Sequence, residues 1–251
     1  MKIISAYSIK GGVGKTTLAV NLACALRSKD RRVLLIDLDP QGAASYALRV
    51  QGSPKFKIKG GKFSDASLRK SIQPTAFERL DVLPSHIDHR NLDILLAGMK
   101  KSRKQLHHLF EEVGKAYDFV IVDCPPNLTL VSENVFRASD LILVPVIPTT
   151  LSQRTLEQLR QFFRDSGLSE SLLVPYFSMV QRQKRLHLET MEILPGAFPA
   201  FLRTTIPFSS DIERMALAGK PLLAGHSQRA AARAFRELAG EVEGLLESTK
   251  S

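Results

Sequence analysis

The sequence has 251 residues, of which 44% are hydrophobic and 24% are charged, a composition that excludes wholesale disorder and fits one α/β domain. Its longest apolar runs, Phe119–Val122 and Leu141–Ile147, are far shorter than the ~18 residues of a membrane-spanning helix, and Lys10 interrupts the apolar start that a signal peptide would need. With 35 Lys and Arg against 25 Asp and Glu, the net charge is +10 and the pI is about 9.8. This excess of positive charge indicates a polyanionic partner, such as nucleic acid or anionic lipid. The alternative is that the surface charge serves solubility.

Strand-like and helix-like segments alternate along the chain. Short apolar runs predict strands at Lys2–Ser8, Arg32–Asp37, Leu80–Leu83, Phe119–Asp123, Leu141–Val146, Leu172–Val180 and Arg203–Ile206. Helical patterns predict helices at Lys15–Ser28, Leu92–Met99, Lys104–Val113, Leu151–Asp165 and Arg229–Leu246. The alternation predicts an α/β fold with a mostly parallel twisted sheet and helices on both faces, and no linker marks a second domain.

The segment Gly52–Pro74 differs from the rest in its charge. It holds six basic residues against the single acid Asp65, which is half of the excess charge of the whole chain. The basic residues are Lys55, Lys57, Lys59, Lys62, Arg69 and Lys70. Alternation in Lys55–Lys59 predicts an edge hairpin, in which lysines discourage pairing with other sheets, and a contact with a polyanion is the equal alternative.

The segment Lys10–Thr17 (KGGVGKTT) follows a predicted strand and opens a predicted helix, which is the context of a phosphate-binding P-loop. Glycines let the backbone turn tightly and direct its N–H groups at phosphate oxygens. The residues predicted to bind the nucleotide here are Gly11, Gly12, Val13, Gly14, Lys15, Thr16 and Thr17. Lys15 is predicted to reach the β- and γ-phosphates and Thr16 to bind Mg²⁺. Thr17 stands where a dinucleotide-binding loop needs glycine.

Two positions depart from the ordinary P-loop pattern. Ile9 replaces the first glycine, and Lys10 adds a second lysine close to Lys15. A second cation can offset the charge that develops on the γ-phosphate. Because Lys10 lies on the far side of the loop, it is predicted to contact the nucleotide of a neighbouring subunit, and this predicts a dimer with two nucleotides between its subunits.

Three aspartates follow predicted strands. Asp37 and Asp39 come at the end of one strand and Asp123 at the end of another, and ligand groups of open α/β sheets collect at these ends. Asp123 therefore fits the Mg²⁺ shell, and helix capping is the alternative role for these aspartates.

The P-loop and four further spans resemble the ParA/MinD family of P-loop ATPases, with Lys10–Thr17 matching its deviant Walker A signature. The further spans are Leu34–Gly42, Leu80–Ser85, Asp118–Pro126 and Ile206–Pro221, in family order. The resemblance covers nearly the whole chain and implies one ATPase domain over residues 1–251, with ATP and Mg²⁺ as cofactors.

The resemblance also implies roles for single residues. Asp37 supports the metal shell, Asp39 orients the attacking water, and Lys10 is the signature lysine that contacts the partner's nucleotide. Pro207 and Phe208 are implied to lie beside the nucleotide.

For the cellular function, ParA-like members imply an ATP-dependent homodimer that binds non-specific DNA. A cargo-linked, ParB-like activator stimulates hydrolysis, and the cycle positions plasmid, chromosome or other large cargo in the cytoplasm, on the nucleoid. The alternative is a MinD-like ATPase that cycles on a membrane. The final turns of the last helix are acidic, however, and its apolar residues suit packing in the core, so no stable membrane anchor is expected. A metabolite-modifying ligase would leave no short motif and stays open.

The expected DNA contacts are basic residues in two regions. The primary candidates are Arg182, Lys184 and Arg185, and the secondary candidates are Arg203, Arg214 and Lys220. Phe208 and Asp211 stand where relatives often carry basic residues. Either the DNA surface is displaced towards Arg182–Arg185 or the segment Lys55–Lys70, or DNA binding is weaker.

Overall fold

The computed structural model describes residues 1–52, 58–59, 62–198, 200–224 and 227–248. Its strands are β1 (Lys2–Ala6), β2 (Val33–Asp37), β3 (Ile58–Lys59), β4 (Lys62–Phe63), β5 (Gln73–Pro74), β6 (Leu80–Leu83), β7 (Phe119–Asp123), β8 (Leu141–Val146) and β9 (Leu173–Phe177). Its α-helices are α1 (Lys15–Leu26), α2 (Ala43–Ala47), α3 (Asp65–Arg69), α4 (Leu92–Ala97), α5 (Gln105–Gly114), α6 (Leu130–Ala138), α7 (Thr150–Asp165), α8 (Arg185–Ile193), α9 (Ser210–Ala218) and α10 (Ala230–Ser248).

Seven strands form one sheet in the order β5-β6-β2-β7-β1-β8-β9. All neighbours in it run parallel except β5, which is antiparallel to β6 at the edge. The predicted mostly parallel sheet is therefore confirmed. The pairing of β2 with β7 places Asp37 directly opposite Asp123, so both strands end at the same point of the sheet.

Helices cover both faces of this sheet, as predicted. Successive residues of β2 point to opposite sides, and all of them are buried. Leu34 and Ile36 pack with α4–α7, whereas Val33 and Leu35 pack with α1, α2 and α10. A strand buried on both faces needs a continuous apolar run, which is the pattern that the sequence shows.

The predicted strand Arg203–Ile206 is wrong. The segment follows the edge of β9 and bonds to it at isolated points, with the Ile206 N–H donating to the Phe177 carbonyl at 2.8 Å. The Thr204 N–H instead donates to the Glu241 carboxylate at 2.7 Å, and the Arg203 N–H donates to the same carboxylate at 2.8 Å. The Leu202 and Ile206 N–H groups bond β9, but the Thr204 N–H between them goes to the Glu241 carboxylate, so the ladder is interrupted and no regular strand forms.

The basic segment Gly52–Pro74 contains four short elements that the structure describes, β3, β4, α3 and β5. β3 and β4 pair as an antiparallel hairpin outside the main sheet, with Ile58 opposite Phe63. Residues 53–57 and 60–61, and with them Lys55 and Lys57 of the predicted alternation, lie outside the described residues. The roles considered for this segment therefore stay predictions.

The last helix, α10, packs its apolar side on the sheet. Phe235, Leu238, Val242 and Leu246 are all buried in the core on that face. Among the described helices, none combines the length and the apolar character that crossing a membrane requires.

Candidate active site

The loop between β1 and α1 has the backbone conformation that its glycines permit. Gly12 and Gly14 have φ values of 72° and 99°, in the left-handed region that favours glycine. A Cβ at Gly14 would also lie 3.1 Å from the Ser178 hydroxyl. Helix α1 begins at Lys15 without a side-chain cap from Gly14, so the N–H groups of its first turn face the loop uncapped, as phosphate binding requires.

Lys15 and Thr16 point from the start of α1 towards the carboxyl ends of the central strands. The Lys15 ammonium is buried and donates to the Lys10 carbonyl at 3.4 Å. Burial lowers the pKa of Lys15, while the charges of Asp123 and Asp39 act in the opposite direction. The Thr16 hydroxyl donates to Asp123 at 2.7 Å, so the structure brings together residues that lie 107 positions apart.

Asp37 and Asp123 form a buried carboxylate pair at the ends of β2 and β7. They are 0% and 1% exposed. Asp37 Oδ2 accepts hydrogen bonds from Ser45, and Asp123 Oδ2 accepts the bond from Thr16. The Oδ1 atom of each is buried and has no hydrogen-bond partner among the described residues.

Two buried, unpartnered carboxylate oxygens beside a hydroxyl fit a hard divalent cation such as Mg²⁺. Burial raises the pKa of both carboxyls; the charge of Asp37 raises that of Asp123 further, and the Ser45 bonds lower that of Asp37. A cation would favour the charged forms of both. Helix capping, the alternative role, applies to Asp37 in part, because its Oδ2 accepts the N–H of Ser45 in the first turn of α2, although Gly42 is the N-cap residue. The described helix that follows Asp123, α6, has Thr129 at its N-cap.

Asp39 lies two residues further along, in a turn at the mouth of this pair. It is half-buried, and its Oδ1 accepts a hydrogen bond from the Gln41 N–H at 3.0 Å. Its carbonyl accepts from the Gly42 N–H at 2.9 Å and from the Ser85 hydroxyl. The turn thus fixes the Asp39 backbone from two sides.

The residues that follow β9 form a second side of the site, next to the loop between β1 and α1. Met179, next to Ser178, has a φ of 54°, and Val180 forms a parallel bridge with Pro207. Phe208 donates its N–H to the Val180 carbonyl at 3.0 Å and is 51% exposed. The structure therefore connects Pro207 and Phe208 to the loop through Ser178 and Met179, whose part in the site the sequence did not indicate.

Lys10 is exposed on the outer side of the loop. With Val13 it borders a small pocket whose far side is formed by Ile147 at the end of β8 and by Leu156 of α7. The side chain therefore lies at the surface of the subunit, while its carbonyl faces inwards to Lys15.

Comparisons with known proteins show the family to which the chain belongs. A family model described as an AAA domain matches residues 1–169. The sporulation initiation inhibitor protein Soj of Bacillus subtilis is 31% identical over 96% of this chain and 98% of its own length. The chain belongs to the ParA/MinD family of P-loop ATPases.

Solved structures of ParA/MinD proteins share the fold. A plasmid partition protein of Borrelia burgdorferi bound to AMPPNP has a TM-score of 0.78 at 25% identity, covering 98% of this chain and 99% of its own. The septum site-determining protein MinD of Pyrococcus horikoshii, complexed with Mg-ADP, has a TM-score of 0.74 at 24% identity, covering 98% and 97%.

The basic residues that the ParA/MinD resemblance predicts as DNA contacts lie in separate parts of the structure. Arg182 and Lys184 are exposed in the turn between β9 and α8, and Arg185 at the start of α8 pairs with Glu189 at 2.6 Å. Arg203 is exposed near α10, where its N–H bonds to Glu241. The structure does not bring Arg203 into contact with the other candidates among its described bonds.

Arg214 and Lys220 do come together, in a cavity of about 450 Å³ beside α9. Asp211 and Arg229 line the same cavity, and they form an ion pair at 2.5 Å. Arg229 thus offsets the acidic residue that departs from the ParA pattern. No local sequence pattern predicts this ion pair, because Arg229 lies 18 positions after Asp211 in the chain.

Proposed function

We propose that the protein binds Mg²⁺–ATP at this site and hydrolyses it as a partition-type switch. The N–H groups of residues 11–17 hold the phosphates, and Thr16, Asp37 and Asp123 hold the metal, which when bound offsets the charge of the triphosphate. The observation that supports this best is the pair of buried, unpartnered Oδ1 atoms of Asp37 and Asp123 beside Thr16.

Lys15, Asp39 and Lys10 have separate roles in catalysis in this proposal. Lys15 donates hydrogen bonds to phosphate oxygens from a buried position, where such charge-assisted bonds are strong. Asp39 accepts a hydrogen bond from the attacking water and orients it. Lys10, exposed on the outer side of the loop, reaches the nucleotide of the partner subunit. Because dimerisation and a partner protein complete this geometry, the basal rate is low.

In this proposal the ATP-loaded dimer binds DNA without sequence preference, on the nucleoid in the cytoplasm, and a cargo-linked, ParB-like protein stimulates hydrolysis. The relatives named as chromosome and plasmid partition proteins support it, as does the net charge of +10. The cluster of Arg214, Lys220 and Arg229 provides a basic surface. The buried apolar side of α10 supports DNA over a membrane as the partner, since that side packs on the sheet.

A sedimentation experiment tests this function. The protein is incubated with either unrelated duplex DNA or anionic liposomes, and with ATP or ADP. We expect salt-sensitive pelleting with DNA in ATP and none with liposomes. Lys15→Ala, which should not bind nucleotide, serves as the control. Pelleting with liposomes alone would overturn the proposal in favour of a MinD-like function.

Paired substitutions locate the DNA surface. Removing the charges of Arg214 and Lys220 should weaken DNA binding and lower the salt dependence by about one counterion for each lost phosphate contact. Arg182→Ala with Lys184→Ala tests the other region in the same way. Lys115→Ala is the matched control, because this exposed lysine lies at the opposite end of the sheet, just before β7.

A further inference from the structure

The turn that carries Asp37 and Asp39 is held by two serines from distant parts of the chain. Ser45 of α2 donates its N–H and its hydroxyl to Asp37 Oδ2, at 2.8 and 2.7 Å. Ser85, which follows β6, donates its hydroxyl to the Asp39 carbonyl. The two serines are joined, since the Ser85 N–H donates to the Ser45 hydroxyl oxygen at 2.9 Å. We call Ser45 and Ser85 the serine bracket.

The bonding of Ser45 is directional. Its hydroxyl has one proton, which goes to Asp37, and its oxygen accepts from Ser85, so the rotation of the hydroxyl is fixed from both sides. Ser45 is 6% exposed, so water has little access to replace it. With Oδ2 held by two donors, the carboxylate of Asp37 has one orientation, in which Oδ1 is left unpartnered.

Glycine makes this arrangement possible. Gly42, the N-cap residue of α2, has a φ of 65°, in the left-handed region that favours glycine. This conformation turns the chain after Asp39 so that α2 directs the Ser45 N–H back at Asp37.

We propose that the serine bracket positions the reactive groups: Ser45 aims Asp37 Oδ1 at the metal, and Ser85 fixes the backbone of Asp39, which orients the water. This inference rests on the proposed function, because it assigns positioning residues to the same Mg²⁺–ATP site. It predicts that the two serines affect different measurements. Ser45 controls metal affinity, whereas Ser85 controls the rate of hydrolysis.

The experiment measures metal affinity separately from activity. Mn²⁺ is titrated into protein saturated with AMPPNP, and free Mn²⁺ is read by electron paramagnetic resonance. Loss of one charge-assisted hydrogen bond in Ser45→Ala should weaken Mn²⁺ binding about tenfold. Ser45→Thr keeps the hydroxyl and should restore binding to within about twofold of wild type. AMPPNP affinity without metal should not change in either variant.

Steady-state ATP hydrolysis tests the role of Ser85 separately from that of Ser45. Ser85→Ala keeps the N–H that bonds Ser45, so its Mn²⁺ affinity should stay near that of wild type. The loss of the hydroxyl that holds the Asp39 carbonyl should lower kcat about tenfold and leave KM unchanged. The control is Ser139→Ala, which removes a buried hydroxyl that bonds the Val135 carbonyl and Ser5, and it should alter neither measurement. Should Ser45→Ala fail to fold, Ser45→Cys provides a variant of similar volume with a weaker donor.

The outcomes distinguish the inference from the function on which it rests. If wild type binds no Mn²⁺ with AMPPNP, the proposed function fails and the inference fails with it. If wild type binds Mn²⁺ but the folded Ser45 variant binds it equally well, the metal half of the inference alone is overturned. Normal kcat in Ser85→Ala overturns the other half.

Discussion

The carboxyl groups of Asp37 and Asp123 lie side by side with almost no exposure to water, and burial raises the pKa of both. The unfolded chain loses these protons near the ordinary carboxyl pKa of about 4, whereas the folded chain keeps them to higher pH. The folded state therefore binds more protons above that pH, and stability falls as the pH rises. We expect the free energy of unfolding of the metal-free protein to fall by several kcal/mol between about pH 5 and about pH 8, because both carboxyls of this pair ionise in that range.

Urea unfolding in EDTA at the two pH values measures this loss. Asp123→Asn keeps an oxygen that can accept the Thr16 hydrogen bond but does not ionise, so it should be more stable than wild type at the higher pH. Asp165→Asn, a substitution on the exposed side of α7, is the control and should leave the pH dependence as in wild type. A wild-type stability that rises over this range would contradict the prediction.

Asp39 differs from this pair because it is half-buried and accepts a hydrogen bond from the Gln41 N–H. If it orients the attacking water, Asp39→Ala should bind ATP as wild type does and hydrolyse it at least about a hundredfold more slowly. Binding of a fluorescent ATP analogue and release of phosphate measure the two effects. Hydrolysis at the wild-type rate would show that the assigned role is wrong.

At the scale of the element, helix α1 is tied to α9 by one buried amide. The Asn21 amide nitrogen donates to the Thr17 carbonyl at 2.9 Å and lies 3.1 Å from the Met215 sulfur. The Asn21 amide oxygen accepts a hydrogen bond from the Leu222 N–H at 2.9 Å. Asn21→Leu keeps the volume but leaves the Leu222 N–H without its partner, so the free energy of unfolding should fall by roughly 1–3 kcal/mol. Urea unfolding without nucleotide measures it.

The comparison variant for this prediction is Asn91→Leu, because Asn91 is exposed at the start of α4. Its effect should stay within about 0.5 kcal/mol. Equal losses in both variants would mean that the Asn21 bonds add nothing to the packing of α1 on α9.

Elements with a strong apolar pattern could be predicted from the sequence, and those decided by side-chain contacts could not. The bounds of β7 and β8 coincide with their apolar runs, since a strand buried on both faces leaves a continuous signal. Residues 203–206 include three β-branched residues, which favour strands, but Glu241, far along the chain, accepts the N–H groups of Arg203 and Thr204. Helix α2 has five residues, too few for a helical period.

The same division holds at the scale of the whole molecule. The meeting of Thr16, Asp37 and Asp123 follows from parallel strands ending together, which strand order and motif already predict. The contacts of Ser45 with Ser85 and of Asp211 with Arg229 depend on how separate segments pack, and no local pattern records that. The sequence therefore predicts that these three residues meet, but not the residues that hold them in place.

The last prediction concerns the association of two subunits. Two triphosphates facing each other across an interface repel, so a lysine from each subunit that contacts the other's nucleotide would favour the ATP-loaded dimer. Lys10 is exposed on the outer side of its loop, as this role requires. Asp39→Ala saturated with ATP should be dimeric at micromolar concentration by light scattering, and monomeric with ADP.

Adding Lys10→Ala to that variant should return it to a monomer without loss of ATP binding, because Lys15 still holds the subunit's own phosphates. Lys29→Ala removes an exposed charge just after α1, at the far end of that helix from the loop, and should leave the dimer intact. A monomeric Asp39→Ala in ATP would exclude the dimer itself. A stable dimer in the double variant would instead show that Lys10 does not contribute to the interface.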